Sequence, residues 1–194
     1  MPGQLRGHVS LRLHSIQAVH VFCGRRRTGA AAGIPGLYAF VRAIGNVGER
    51  PNPKGVVSRV NVALRDAEVA MSDAEDDAAT RIQVVQGLTL DLNRLSRPQI
   101  FDLRFRSTHA FRAARLIGRF DRLVTTLMTL NHVGALDRRG FMKRVDIPMR
   151  RLRHAFNVAC DRGETRTPLP ERRPNAGLAQ RIADDDHAVR IANV

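Results

Sequence analysis

The sequence predicts a mainly α chain with short β segments: a small irregular helical core around residues 107–160, a poorly ordered N-terminal region and a disordered C-terminal tail. Three observations lead there. Between Phe111 and Leu130 apolar residues recur at helical spacing over several turns. Elsewhere apolar residues alternate only over short runs, as in Val9, Leu11, Leu13 and Phe101, Leu103, Phe105. From Asp161 onward, "DRGETRTPLPERRPNAG" carries Pro, Gly and Arg with no apolar period, the composition of a linker. The expected organisation is a basic, loop-rich region over 1–55, a mainly helical core over 56–160, and a linker and tail over 161–194.

In chain order, Val9, Leu11 and Leu13 suit one strand face, after which the alternation slips phase. "GRRRTGAAAGIPG" is a glycine-rich turn region, and Pro35 is placed to open a helix carrying Leu37, Phe40, Val41 and Ile44 on one side. "GNVGERPNPKG" reads as a loop. Val60, Val62 and Leu64 alternate again, suggesting a second short strand. Ser72 followed by Glu75 has the spacing of a capping box, with the acidic run Asp73 to Asp77 suited to a helix N-terminus, and Gly87 would end that helix after Gln86. Leu88, Leu90, Leu92 and then Phe101, Leu103, Phe105 form a hairpin-like pair of runs. Ser107 or Thr108 caps the strongest helix, which Gly134 stops. Two more helices are expected, Asp137 to Arg144 and Pro148 to Cys160, the second burying Met149, Leu152, Phe156 and Ala159. No internal repeat is evident.

Charge narrows the function classes. The 194 residues carry a net charge of +14, a field that attracts phosphates and other anions. Nearly all cations are arginine, Lys54 and Lys143 being the exceptions, and aspartate outnumbers glutamate. In a GC-rich gene, reading the opposite strand converts common alanine codons to arginine and valine codons to aspartate. That bias leads to the expectation of a conceptual translation that is not a selected gene product, with no assignable biochemical activity.

The alternative is a small basic nucleic-acid-binding protein using an Arg-rich helical surface within 106–156. Arg112, Arg115, Arg119 and Arg122 fall within about a 60 degree arc of one helix, where phosphates could bind or where water simply solvates the polar face. Arg150, Arg151 and Arg153 would lie on the second helix of a helix–turn–helix with its turn at Val145 to Ile147. Asp146 and the bulky Phe141 and Met142 count against that motif and for two ordinary packed helices. A further alternative is an interaction protein for an acidic partner.

Catalytic and cofactor chemistry find no support. His8, His14 and His20 would share a strand face with neighbours roughly 20 Å apart, too far for a common metal ion, and "DDDH" at Asp184 to His187 has no fixed geometry. "GRRRTGAAAG" lacks the ending of a phosphate loop. No enzyme, cofactor or metal is expected; the sequence identifies no partner, although its charge allows non-specific binding of nucleic acid. Cys23 and Cys160 form no CxxC pair, which fits a reducing cytoplasm, and no apolar run is long enough to span a membrane.

Overall fold

The strand β1 (Gly7–Leu13) begins the computed structural model, which describes residues 7–25, 33–84 and 97–161. It is followed by helices α1 (Ile16–Cys23) and α2 (Leu37–Gly45), a 3-10 turn at Val47–Glu49, and the long helix α3 (Pro53–Val84). Strand β2 (Gln99–Phe105) and helices α4 (Thr108–His132) and α5 (Arg138–Cys160) complete the order. Among the described residues the fold is mainly helical with two short strands, as the sequence indicates.

β1 and β2 form an antiparallel two-stranded ribbon in which Gly7 stands opposite Phe105, Ser10 opposite Asp102 and Leu13 opposite Gln99. Leu11, Leu13, Leu103 and Phe105 face the core, while the residues between them are exposed. β2 is thus a strand as expected, and among the described residues its partner is β1; the run Leu88 to Leu92, expected to pair with it, lies outside them. The phase slip after Leu13 is the switch from strand to helix. Ser15 is in extended conformation and its hydroxyl accepts the Ala18 N–H at 3.2 Å, so the apolar period changes to that of α1, which buries Ala18, Val21 and Phe22. Gly24 follows at φ 72°, where a Cβ would lie 2.5 Å from the Gly36 nitrogen, so only glycine lets the α1 exit pass the α2 entrance. α2 buries Leu37, Phe40 and Ile44.

α3 runs unbroken for 32 residues, about 48 Å at 1.5 Å per residue. This corrects two expectations. Val60 and Leu64 are buried but Val62 is 58% exposed, because positions four apart share a helix face and the residue between them does not. Ser72 and Glu75 lie inside the helix rather than at its start, since Val60, Ala63, Leu64, Ala67, Met71 and Ala78 continue one apolar stripe past them.

α4 is the central element. Ala110, Ala113, Ala114, Leu116, Ile117, Phe120, Leu123, Val124, Leu127 and Leu130 are all buried on it, and it packs against the other four helices and the ribbon. Gly134 at φ 77° turns the chain, and Asp137 caps α5 by accepting the Gly140 N–H at 2.8 Å. α5 corrects the expectation of two helices: residues 145–147 are helical, with Val145 buried and Asp146 ion-paired to Arg150 one turn on. Pro148 sits inside the helix, buried, where burial of its ring offsets part of the backbone hydrogen bond it cannot make. The core extends beyond 107–160, for Leu13, Phe22, Leu37 and Phe40 belong to it, and the Phe40 and Phe156 rings join α2 to α5 at 5.1 Å. The tail beyond Asp161 lies outside the described residues.

Candidate nucleic-acid interface

The arginines of α4 divide into two kinds. Arg112 donates Nε and Nη2 to the two carboxylate oxygens of Glu68 at 3.1 and 3.0 Å, and Nη1 to Asn61 Oδ1 at 3.0 Å. Arg119 grips Glu75 in the same bidentate way and also donates to Ser72 Oγ at 3.0 Å. The Glu75 hydrogen bond holds the Arg119 guanidinium above its ordinary pKa against the opposing effect of burial. Both pairs advance seven residues together, 68 with 112 and 75 with 119, so α3 and α4 run in the same direction where they touch. Arg115 and Arg122 are exposed and make no ion pair among the described residues. The four arginines therefore do not form one free cationic face: half of them are struts between helices.

On α5, Arg150 is exposed and pairs with Asp146, Arg151 is exposed beside the groove between α3 and α5, and Arg153 is half-buried. With α5 continuous, these residues do not sit on the second helix of a helix–turn–helix; that expectation is replaced by a single amphipathic helix. Arg144 ties α5 to Asp77 of α3, and its hydrogen bond holds the Asp77 carboxyl below its ordinary pKa, opposed by burial and aided by Arg81. His109 of α4 contacts Asn61 Oδ1 at 3.0 Å, and burial, then the charge of Arg112, lowers its pKa.

A second surface went unread in the sequence. The outer face of the ribbon exposes Ser10 and Arg12 of β1 and Ile100, Asp102 and Arg104 of β2. In the register Ser10 stands opposite Asp102, Arg12 opposite Ile100 and His8 opposite Arg104. The inner face anchors this surface: Phe22 of α1 stacks on Phe101 at 4.0 Å and Phe111 of α4 meets Phe105 edge-on at 5.3 Å. The end of β1 is held by Asp121 of α4, only 2% exposed, which accepts the N–H groups of His14 and Ser15 at 3.0 and 2.7 Å and the Ser15 hydroxyl at 2.8 Å. These bonds join ribbon, α1 and α4 into one support. The alternating runs signalled both strands, but no local signal said that they pair.

Among the described residues no cluster of His, Cys, Asp or Glu could hold a metal ion, and the DDDH run lies outside them. No described helix is long and apolar enough to cross a membrane. The described residues thus form a helical protein that presents a firmly backed two-stranded ribbon. The chain belongs to the family of the transcriptional regulator AcaB, whose family model it matches over residues 1–181. Its fold is similar to that of selenomethionine-containing AcaB from uropathogenic E. coli, with a TM-score of 0.59 and 16% identity over 80% of this chain and 78% of that one. No curated protein matches the sequence.

Family membership overturns the expectation of a spurious translation without assignable role, because a chance reading frame would not match a family over nearly its whole length. The arginine bias that prompted it describes how the protein is encoded rather than whether it was selected. The family is one of transcriptional regulators, in keeping with the expectation of a non-enzymatic protein.

Proposed function

We propose that this chain acts in transcription by binding duplex DNA with the outer face of its β1–β2 ribbon. The observation that carries this reading is the strict division of the ribbon: Leu11, Leu13, Leu103 and Phe105 are buried, while Ser10, Arg12, Ile100, Asp102 and Arg104 are exposed. A two-stranded ribbon fits the major groove, about 12 Å wide, and arginine is the side chain best suited to guanine O6 and N7. The net charge of +14 supplies the long-range attraction, to which exposed Arg115, Arg122, Arg150 and Arg151 contribute. This reading keeps the nucleic-acid alternative of the sequence but moves base reading from helix to ribbon.

The test is binding to a duplex enriched from a random pool by the parent protein. The double change Arg12→Ala with Arg104→Ala is expected to abolish sequence preference while leaving salt-sensitive, non-specific binding, because phosphate attraction remains. Changing Arg112 and Arg119 to Gln is expected to leave the preference intact. Retention of full preference by the ribbon variant would refute the reading.

A further inference from the structure

The chain repeats one pattern at an offset of 92 residues. Gly7–Leu13 and Gln99–Phe105 are strands of seven residues, Ser15 and Ser107 are the N-caps that follow them, and the next helices begin at Ile16 and Thr108. At this offset Leu11 matches Leu103, Arg12 matches Arg104, Ser15 matches Ser107 and Ala18 matches Ala110. Three of the four matches are structural as well: both leucines and both alanines are buried and both arginines are exposed, whereas Ser15 caps α1 through its hydroxyl and Ser107 makes no side-chain cap bond. A second helix follows in each half, α2 in the first and α5 in the second, and the two meet through Phe40 and Phe156. What repeats is the order of strand, cap and two helices with a few matched residues, while α3 separates the copies and both pairs of helices differ in length.

The register gives the repeat its meaning. Ser10 stands opposite Asp102, its own counterpart, so an approximate two-fold axis through that pair carries Leu11 onto Leu103 and Arg12 onto Arg104. An antiparallel ribbon made by two separate copies would have such an axis; here both strands belong to one chain. Resting on the ribbon as the DNA-reading surface, we propose that two fused strand–helix–helix units let a single chain read one DNA site that is only approximately palindromic. Arg12 and Arg104 lie two residues on either side of the axis, on opposite strands, and are thus about 14 Å apart along the ribbon at 3.4 Å per residue. At about 3.4 Å per base pair this spacing corresponds to two guanines on opposite DNA strands, about four base pairs apart.

Along the outer-face register, symmetry is broken at two pairs of positions. The axis pair is Ser10 and Asp102, unlike side chains, so the two halves do not present the same groups at the centre of the site. Ile100, opposite Arg12 and 56% exposed, adds an apolar contact suited to a thymine methyl group, whereas its counterpart opposite Arg104 is His8. The chemistry on the two sides of the axis therefore selects different bases, and a single orientation of the protein on its site follows.

The experiment enriches duplexes from a random pool with the parent chain, with Arg12→Ala and with Arg104→Ala, and measures the chains bound per enriched duplex by native mass spectrometry. The expected parent motif has two guanines on opposite strands about four base pairs apart around unlike central pairs, with one chain per duplex. Each variant should relax one guanine position, a different one for each, with a loss of roughly 10- to 100-fold on the parent site. Thermal melting that matches the parent verifies that these exposed changes leave the fold intact. A strict palindrome bound by two chains, with either variant relaxing both halves, would leave the ribbon as the reading surface and overturn the single-chain site. A motif that neither variant changes, or no motif at all, would remove the ribbon reading and this inference with it.

Discussion

Asp121 is expected to be the residue whose loss most directly loosens the ribbon from the helices. Its carboxylate is buried and accepts from two backbone N–H groups and one hydroxyl on the His14–Ser15 junction, at 2.7 to 3.0 Å. Asp121→Ala removes the acceptor of all three at once. The Ser15 N–H is left buried and unsatisfied, a cost of about 1–3 kcal/mol, and the hydrogen bonds to a charged acceptor are lost as well. Relief of carboxylate desolvation offsets part of this, and both the Ser15 hydroxyl and the part-buried His14 N–H can find other partners. The net expectation is about 3–4 kcal/mol. With about 2–4 °C per kcal/mol for a chain of this size, the melting temperature should fall by roughly 6–16 °C. Ser15→Ala, which removes a cap and one of the three bonds, should cost about 1 kcal/mol. Urea titrations and thermal melts followed by far-UV circular dichroism give these values, and the double variant should cost less than the sum of the single changes by about 0.5 kcal/mol, because both remove the Ser15 hydroxyl bond to Asp121 while the Ala18 cap is lost only with Ser15. If Asp121→Ala lies within about 1 kcal/mol of the parent, the account of this junction is wrong.

Changing Arg112 and Arg119 to Gln should lower stability by up to about 1 kcal/mol for each half-exposed pair while leaving the salt dependence of DNA binding nearly unchanged. The same change at the exposed Arg115 and Arg122 should reduce the slope of log K against log salt by no more than about two, as read by binding titrations at several salt concentrations. Asp77 gives an acid dependence whose sign follows from its depressed pKa: its contribution is present above the ordinary value of 3.8 and is lost as pH falls through the lower folded value. Denaturation measured over this acid range should flatten in Asp77→Asn; an unchanged profile would show that the Arg144 pair does not couple to folding.

Local periodicity determined a large part of this protein. The alternation of Val9, Leu11 and Leu13 and of Phe101, Leu103 and Phe105 defines both strands, and the stripe from Phe111 to Leu130 defines α4, because side-chain period and backbone period are the same property of a segment. Where two periods coincide, the sequence is ambiguous. Val60 and Leu64 fit a strand at spacing two and a helix at spacing four, and only packing of the whole stripe from Val60 to Ala78 against α4 and α5 selected the helix. In the same way Pro148 marks a helix start by local chemistry, yet burial of Val145 on one side and Leu152 on the other keeps α5 continuous through it.

The candidate site depended on partners that are distant in sequence. Nothing near Arg112 or Arg119 indicates that Glu68 and Glu75 will meet them, and nothing near β1 indicates that β2 lies across from it. Those contacts form only when α3 and α4 pack side by side and bring the two strands to one edge of the core. Sequence by itself determined which residues face in and which face out along β1, β2 and most of α4; the tertiary structure decided the inward face of α3, which outward arginines are consumed as struts and which remain on the ribbon, because a charge's role depends on whether an opposite charge reaches it.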